Sequence, residues 1–139
     1  MNSSRTSRIP LNWISFWAYS LFVFETAIIS PQKIPRFIAS INDKLLHGVE
    51  YYLLFWISLK AFLGFRNLSL QKKADLLALA YCFLMGVATE WAQRFAFGRS
   101  CDFWDWLADA GAASLALIIY RSLTAAGKKS KIKESHGLF

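Results

Sequence analysis

Residues 90–109 read EWAQRFAFGRSCDFWDWLAD, a charged and aromatic stretch between two long apolar runs. Each flanking run has the length of about 20 residues that a helix needs to cross the hydrocarbon core of a bilayer. The two runs therefore predict a helical hairpin that places a carboxylate-rich surface at one face of a membrane. We expect the functional residues to lie at this face.

The composition of the whole chain favours an integral membrane protein. Of the 139 residues, 55% are hydrophobic, and the mean hydropathy is +0.32. These residues occur in blocks and not in the repeating amphipathic pattern of a soluble domain. The net charge of +7 would suit a nucleic-acid binder, but here the basic residues flank apolar segments instead of forming a soluble basic face. We therefore expect one domain with membrane lipids as partners and no nucleic acid.

Four apolar segments predict four membrane-spanning helices and hence an all-α four-helix bundle. They cover Leu11 to Ser30, Asp43 to about Phe65, about Ala74 to Phe95, and Asp102 to about Leu123. Residues 1–10 are then an N-terminal segment, residues 11–123 the membrane domain, and residues 124–139 a basic tail that we expect to be disordered. A cleavable signal peptide is the alternative for the first segment, but no small-x-small cleavage pattern closes it before Pro31.

The distribution of charge predicts the orientation of the spans. Four spans put both termini on the same side, which carries eleven basic and two acidic residues, against five basic and seven acidic on the other side. Because cytoplasmic loops are enriched in Lys and Arg, we expect both termini in the cytoplasm and the acidic stretch outside. The terminal side contains Arg5, Arg8, Lys60, Arg66, Lys72, Lys73, Arg121, Lys128, Lys129, Lys131 and Lys133, with Asp75 and Glu134.

Ionisable residues at the outer ends of several spans predict a shared polar site. Each ionisable group inserted into hydrocarbon costs about 2.5–3.5 kcal/mol, so such groups normally face the interior of a bundle and pair there. Glu25 on the first span lies at a depth comparable to that of these ionisable residues. For Lys44 and Arg94 the alternative role is that of an anchor at the membrane interface. The candidate ligand-binding residues are Asp43, Lys44, His47, Glu50, Tyr51, Glu90, Gln93, Arg99, Ser100, Asp102, Asp105 and Asp109.

One stripe of the second helix carries two carboxylates and an imidazole. Asp43, His47 and Glu50 are spaced i, i+4 and i+7, so they share a face. A structural ion-pair network that joins His47 and Glu50 to Arg99 or Arg94 is the alternative to a functional role. A metal site is disfavoured because the stripe lacks a second imidazole. We therefore predict no metal and no cofactor.

One face of the fourth helix carries Asp102, Asp105 and Asp109 and continues inward as a row of alanines. Small residues below the acids predict that this face packs against neighbouring helices. The alternative is a local role, in which Ser100 or Asp102 caps the helix and Asp105 interacts with the positive end of the helix dipole.

Three blocks of these residues have the spacing of a known family. They are Asp43-Lys44-Leu45-Leu46-His47 followed by Tyr51, then Glu90-x-x-Gln93, then Gly98-Arg99-Ser100-x-Asp102-x-x-Asp105. This pattern resembles the VanZ-like family of small bacterial membrane proteins, which is associated with resistance to the lipoglycopeptide teicoplanin. The resemblance implies a multi-pass protein of the bacterial cytoplasmic membrane that acts on the cell-envelope side.

Two residues of the fourth helix depart from the family pattern. Asp109 stands where the family usually has Asn, and Gly111 is offset by one position from the family's helix-packing glycine, whose place Ala112 takes. These departures concern the packing of the fourth helix more than the polar site.

The first functional hypothesis is a binding protein. The outward-facing site would hold the head group of an envelope lipid or of a lipid-tailed glycopeptide, while the acyl part lies among the helices. Arg99 is the candidate for a phosphate or carboxylate, because a planar guanidinium binds such groups through two parallel hydrogen bonds. Such binding would confer teicoplanin-type resistance.

The second hypothesis is an intramembrane enzyme that modifies an envelope lipid or a lipid-linked glycan. His47 would be the general base, oriented by Asp43 or Glu50, with Glu90 as general acid and Arg99 stabilising negative charge. The sequence places no Ser or Cys nucleophile beside a base, which weighs against this hypothesis. A third hypothesis is a helical scaffold or partner subunit, in which the outer carboxylates serve assembly.

Overall fold

The computed structural model describes residues 11–29, 43–96 and 103–136, without the side chains of residues 43, 44 and 130–136. Within these ranges the chain is helical and contains no strand, which confirms the all-α prediction. The helices are α1 (Leu11–Ile28), α2 (Asp43–Leu63), α3 (Leu68–Gln71), α4 (Ala74–Gln93) and α5 (Phe103–His136). The predicted N-terminal segment 1–10 and the predicted loop 31–42 lie outside the described residues.

Helix α2 is the central element of the packing. It contacts α1, α4 and α5, and α4 also contacts α1 and α5. Its buried face carries the large side chains of Tyr51, Leu54, Phe55 and Leu59, each at most 2% exposed. The hydrophobic core therefore follows α2 along its length.

Small residues line the buried faces of the helices that pack against α2. On α4 the buried residues recur every four positions, at Ala74, Ala78, Cys82 and Gly86. On α5 the face below the predicted acids contains Ala113 and Ala116, which are fully buried. Small side chains let helix backbones approach closely, so they leave room for the large residues of α2.

The polar residues of the three longest helices gather at one end of the structure. The N-terminal part of α2, the C-terminal part of α4 and the N-terminal part of α5 meet there. At the opposite end, Arg121 Nε donates a hydrogen bond to Asp75 Oδ2 at 2.9 Å, and Gln71 donates to the Leu63 carbonyl at the end of α2 at 2.6 Å. Helices α2, α4 and α5 therefore alternate in direction.

Among the residues that the structure describes, two helices are long and apolar enough to cross a membrane. They are α4 and the Phe103–Lys129 part of α5. Only 33% and 17% of the apolar 18-residue stretch of each helix is buried. Leu84, Leu115 and Ile118 on these helices are each more than half exposed. The core helix of a soluble protein is mostly buried, so these exposed apolar faces indicate association with a membrane.

The last helix is longer than the sequence predicted. We expected disorder over residues 124–139, but α5 continues to His136, so that prediction is wrong as far as this residue. Extending an existing helix requires no new nucleation, and the Ala, Lys and Glu residues beyond Leu123 favour helix. Residues 122–129 of this extension are all exposed. Helices α1, α2 and α4 instead end slightly before the predicted positions 30, 65 and 95.

Candidate functional site

A histidine and an aspartate form the centre of the polar end. His47 Nδ1 on α2 lies 3.6 Å from Asp109 Oδ1 on α5, and the two residues are 7% and 1% exposed. This distance suits an ion pair but exceeds that of a hydrogen bond. Among the described residues, neither His47 Nδ1 nor either oxygen of Asp109 has a hydrogen-bond partner. Because a buried carboxylate without donors is costly, the pair marks a place that favours a hydrogen-bond donor.

Three further carboxylates lie within electrostatic range of Asp109. They are those of Glu90, Glu50 and Asp105. Glu90 and Asp105 are buried, and Glu50 is half-buried. The structure thus brings together acidic residues of α2, α4 and α5 that the sequence assigned to one site. Their role in ligand binding stays a prediction.

A chain of hydroxyl groups joins α2 to α4 beside these acids. Tyr51 Oη lies 2.9 Å from Thr89 Oγ1, and Thr89 donates to the Gly86 carbonyl at 3.0 Å. Because the single hydroxyl proton of Thr89 is used in this way, Tyr51 is the donor to Thr89. Both side chains are at most 2% exposed. The Tyr51 hydroxyl, which the sequence assigned to ligand binding, therefore has an internal acceptor.

Helix α1 contacts the site through a tyrosine and not through its acid. Tyr19 Oη donates to the backbone carbonyl of Glu50 at 3.2 Å. Glu25, which the sequence places on the first span at the depth of the other acids, is exposed. The structure therefore places Glu25 outside the buried cluster.

An open groove lies between α4 and α5 beside the buried acids. Its volume is about 460 Å³, and its lining residues are Val87, Glu90, Trp91, Arg94, Phe103 and Trp106. Glu90 belongs both to this groove and to the acidic cluster around Asp109. Arg94 is exposed, and Val87, Trp91 and Phe103 provide apolar walls. An apolar groove with a few polar groups at one end is typical of a site for an amphiphilic small molecule.

Gly86 determines where Trp106 lies in this groove. A Cβ atom at Gly86 would come within 2.9 Å of Trp106 Cδ1 and 3.3 Å of Trp106 Nε1. The indole therefore packs directly against the backbone of α4. Among the described residues, the buried Nε1–H of Trp106 has no hydrogen-bond acceptor. The groove thus contains a second polar atom that favours a partner.

Ala112 and Gly111, the two residues of the glycine offset, have different surroundings. A Cβ atom at Gly48 on α2 would lie 3.9 Å from the Cβ of Ala112, so Ala112 contacts α2 at ordinary van der Waals distance. Gly111 has no atom within 4 Å of its own added Cβ among the described neighbours. The close approach of α2 and α5 therefore involves Gly48 and Ala112, and not Gly111.

Not all of the predicted site residues can be placed. Arg99, Ser100 and Asp102 lie outside the described residues, as do the side chains of Asp43 and Lys44. His47, Tyr51, Glu90, Gln93, Asp105 and Asp109 are buried at one end of the assembly.

Sequence reasoning missed three residues at the site. Thr89 is an unremarkable hydroxyl residue in an apolar run, and Trp106 is one of several aromatic residues in the stretch 90–109. The position of Gly86, four residues after Cys82 and four before Glu90, was the available signal for a close helix contact.

The described side chains contain no group of three or more His, Cys, Asp and Glu residues that could hold a metal ion. Comparison of the chain with models of known protein families, with curated proteins and with solved structures found no match. The VanZ-like resemblance therefore depends on the motif residues alone.

Proposed function

We propose that this chain is a VanZ-like integral membrane protein whose polar site binds the head group of an envelope lipid. Its membrane domain would be a four-helix bundle of α1, α2, α4 and α5 in the bacterial cytoplasmic membrane. The exposed apolar faces of α4 and α5 support the membrane location. The excess of basic residues on the side of Asp75 and Arg121 supports an orientation with both termini in the cytoplasm.

The groove between α4 and α5 is the observation that carries the binding proposal. It is open, its walls are apolar, and its polar end includes Glu90 from the buried cluster. A lipid lying along α4 and α5 would place acyl carbon against Val87 and Phe103 and its head group near Glu90 and Arg94. Binding a lipid-linked glycopeptide in the same groove would provide the route to teicoplanin-type resistance.

Blocking the groove tests this proposal. Val87 lines the groove and is 56% exposed, whereas Val49 on α2 is 50% exposed and does not line it. We expect Val87→Trp to fill the groove and to weaken binding of a fluorescent phospholipid at least tenfold in detergent micelles. The matched variant Val49→Trp should bind as the wild type does. Equal binding by both folded variants would refute the proposal.

An intramembrane enzyme is the second candidate, and the His47–Asp109 pair favours it. A buried carboxylate beside Nδ1 can orient an imidazole and stabilise its protonated form, as a general base requires. Asp109 would then have the orienting role that the sequence assigned to Asp43 or Glu50. Turnover of an envelope lipid by the purified protein, lost in His47→Gln with lipid binding retained, would establish catalysis. Binding without turnover would leave the first candidate.

A further inference from the structure

We infer that the lipid bound in the groove between α4 and α5 is a phospholipid of net negative charge, whose phosphate lies against Arg94. This inference depends on the proposed lipid-binding function and adds the chemical class of the head group. The lipid would contact the residues that line the open groove, and not the buried pair of His47 and Asp109.

Arg94 is the charged group that a ligand in this groove can reach. Its side chain lines the groove and is exposed. None of the described residues forms an ion pair with its guanidinium. Glu90, the other charged lining residue, is only 7% exposed and interacts within the protein, so its carboxylate presents little surface to a ligand. The accessible charge in the groove is therefore positive.

The two ends of the groove match the two parts of a phospholipid. Arg94 directly follows the last residue of α4, and Val87 lies about 10 Å deeper along the helix at a rise of 1.5 Å per residue. In the proposed membrane domain, Arg94 is then at the level of the head groups and Val87 in the hydrocarbon. Val87 and Trp91 are 56% and 63% exposed, so their apolar surfaces are open to an acyl chain. A free phosphate ion would leave these surfaces uncovered, whereas a lipid covers them.

The guanidinium of Arg94 favours a phosphate that carries no attached cation. It can donate two parallel hydrogen bonds to two oxygens of one phosphate. A zwitterionic head group would bring its ammonium close to the same guanidinium, and like charges repel. A lipid without phosphate offers no anionic oxygen at all. The groove should therefore prefer phosphatidylglycerol and phosphatidic acid to phosphatidylcholine and diacylglycerol.

A series of head groups tests this inference on the wild-type protein. The dissociation constants of these four lipids, each with the same acyl label, would be measured in micelles of one uncharged detergent. We expect the two anionic lipids to bind about tenfold more tightly than the other two, the factor expected from one hydrogen bond to a charged group. Equal or tighter binding of phosphatidylcholine or diacylglycerol would overturn the inference. Inorganic phosphate at the same concentration as the lipid should not displace it, and displacement would overturn the assignment to a lipid.

Arg94→Gln tests the residue that makes the selection. We expect this variant to bind all four lipids within about twofold of one another, because it lacks the charge and the paired donors of the guanidinium. The matched control is Arg66→Gln, which removes an exposed arginine at the opposite end of the structure and should keep the wild-type preference. A preference for the anionic lipids that survives in Arg94→Gln would overturn the inference. The head-group series needs no variant, so it decides the question even if Arg94→Gln does not fold. Lipids that bind without preference but still respond to Val87→Trp would refute the ligand class and leave the proposed function intact.

Discussion

His47 and Asp109 connect α2 to α5, the two helices with the most extensive contact in the structure. Nδ1 and Oδ1 are 3.6 Å apart, and both side chains are less than a tenth exposed. A buried ion pair contributes to stability through the interaction between its two side chains. Removal of one side chain is costly because it leaves the charge of the other buried without an opposite charge beside it. The stability of the protein should therefore depend on the pair and not on each residue separately.

A double-mutant cycle measures this coupling. We expect His47→Gln and Asp109→Asn to have non-additive effects on the free energy of unfolding, with an interaction energy of about 0.5–3 kcal/mol. The cycle would be measured by denaturation with sodium dodecyl sulfate in mixed micelles. Additive effects would show that the two side chains do not interact.

The exposed ion pair at the opposite end is the control for this cycle. Arg121 Nε lies 2.9 Å from Asp75 Oδ2, but the Arg121 side chain is 54% exposed. Solvent screening reduces such a pair to about 0.2–1 kcal/mol. We therefore expect Asp75→Asn and Arg121→Gln to couple more weakly than the buried pair.

Gly86→Ala should displace Trp106. The added Cβ would meet the indole at 2.9 Å, closer than carbon atoms approach in proteins. Overpacking of this kind costs about 1–3 kcal/mol, and we expect a lower unfolding midpoint together with a changed tryptophan emission spectrum. The control is Gly111→Ala, where the added Cβ meets no atom within 4 Å. Alanine there should be neutral or stabilise by up to about 1 kcal/mol through helix propensity. Equal destabilisation by both variants would contradict the described contact.

Tyr51→Phe should destabilise the protein by about 0.5–1.5 kcal/mol, the net value of one hydrogen bond. The phenol donates to Thr89 in a fully buried environment, so its removal leaves an acceptor without its donor. The neighbouring Tyr52, half-buried with its ring packed against Trp56, provides the control. Tyr52→Phe should have the smaller effect on the unfolding midpoint. The reverse order would refute the assigned hydrogen bond.

The C-terminus should lie in the cytoplasm. A C-terminal fusion to alkaline phosphatase should be inactive, because this enzyme becomes active only after export, and a fusion to green fluorescent protein should be fluorescent. The physical reason is the excess of Lys and Arg on the side of the termini. An active phosphatase fusion would reverse the orientation and place the polar site on the cytoplasmic side.

The sequence was sufficient to predict the features that follow from helical periodicity. The structure contains the helices α1, α2, α4 and α5. It also contains the shared face of Asp105 and Asp109 and the alanine row below them. These predictions succeed because apolar length and the i, i+3, i+4 spacing are local properties of the chain.

Partners on different helices could not be predicted in the same way. The sequence offered Asp43 and Glu50 as partners for His47, but the structure places Asp109 beside it. This contact depends on the rotation and axial shift of α2 against α5, which periodicity leaves open. The close contact of Gly86 with Trp106 depends on the same geometry.

The most direct measurement of the proposed site is photo-crosslinking with a phospholipid that carries a diazirine at the glycerol end of one acyl chain. The purified protein would be irradiated with this lipid, and the adducts mapped by mass spectrometry. We expect adducts on Val87, Trp91 and Phe103, which line the groove, and we expect Val87→Trp to suppress those on Trp91 and Phe103 while Val49→Trp does not. Adducts spread over the exposed faces of α1 and α5, with none in the groove, would contradict a lipid-binding site between α4 and α5.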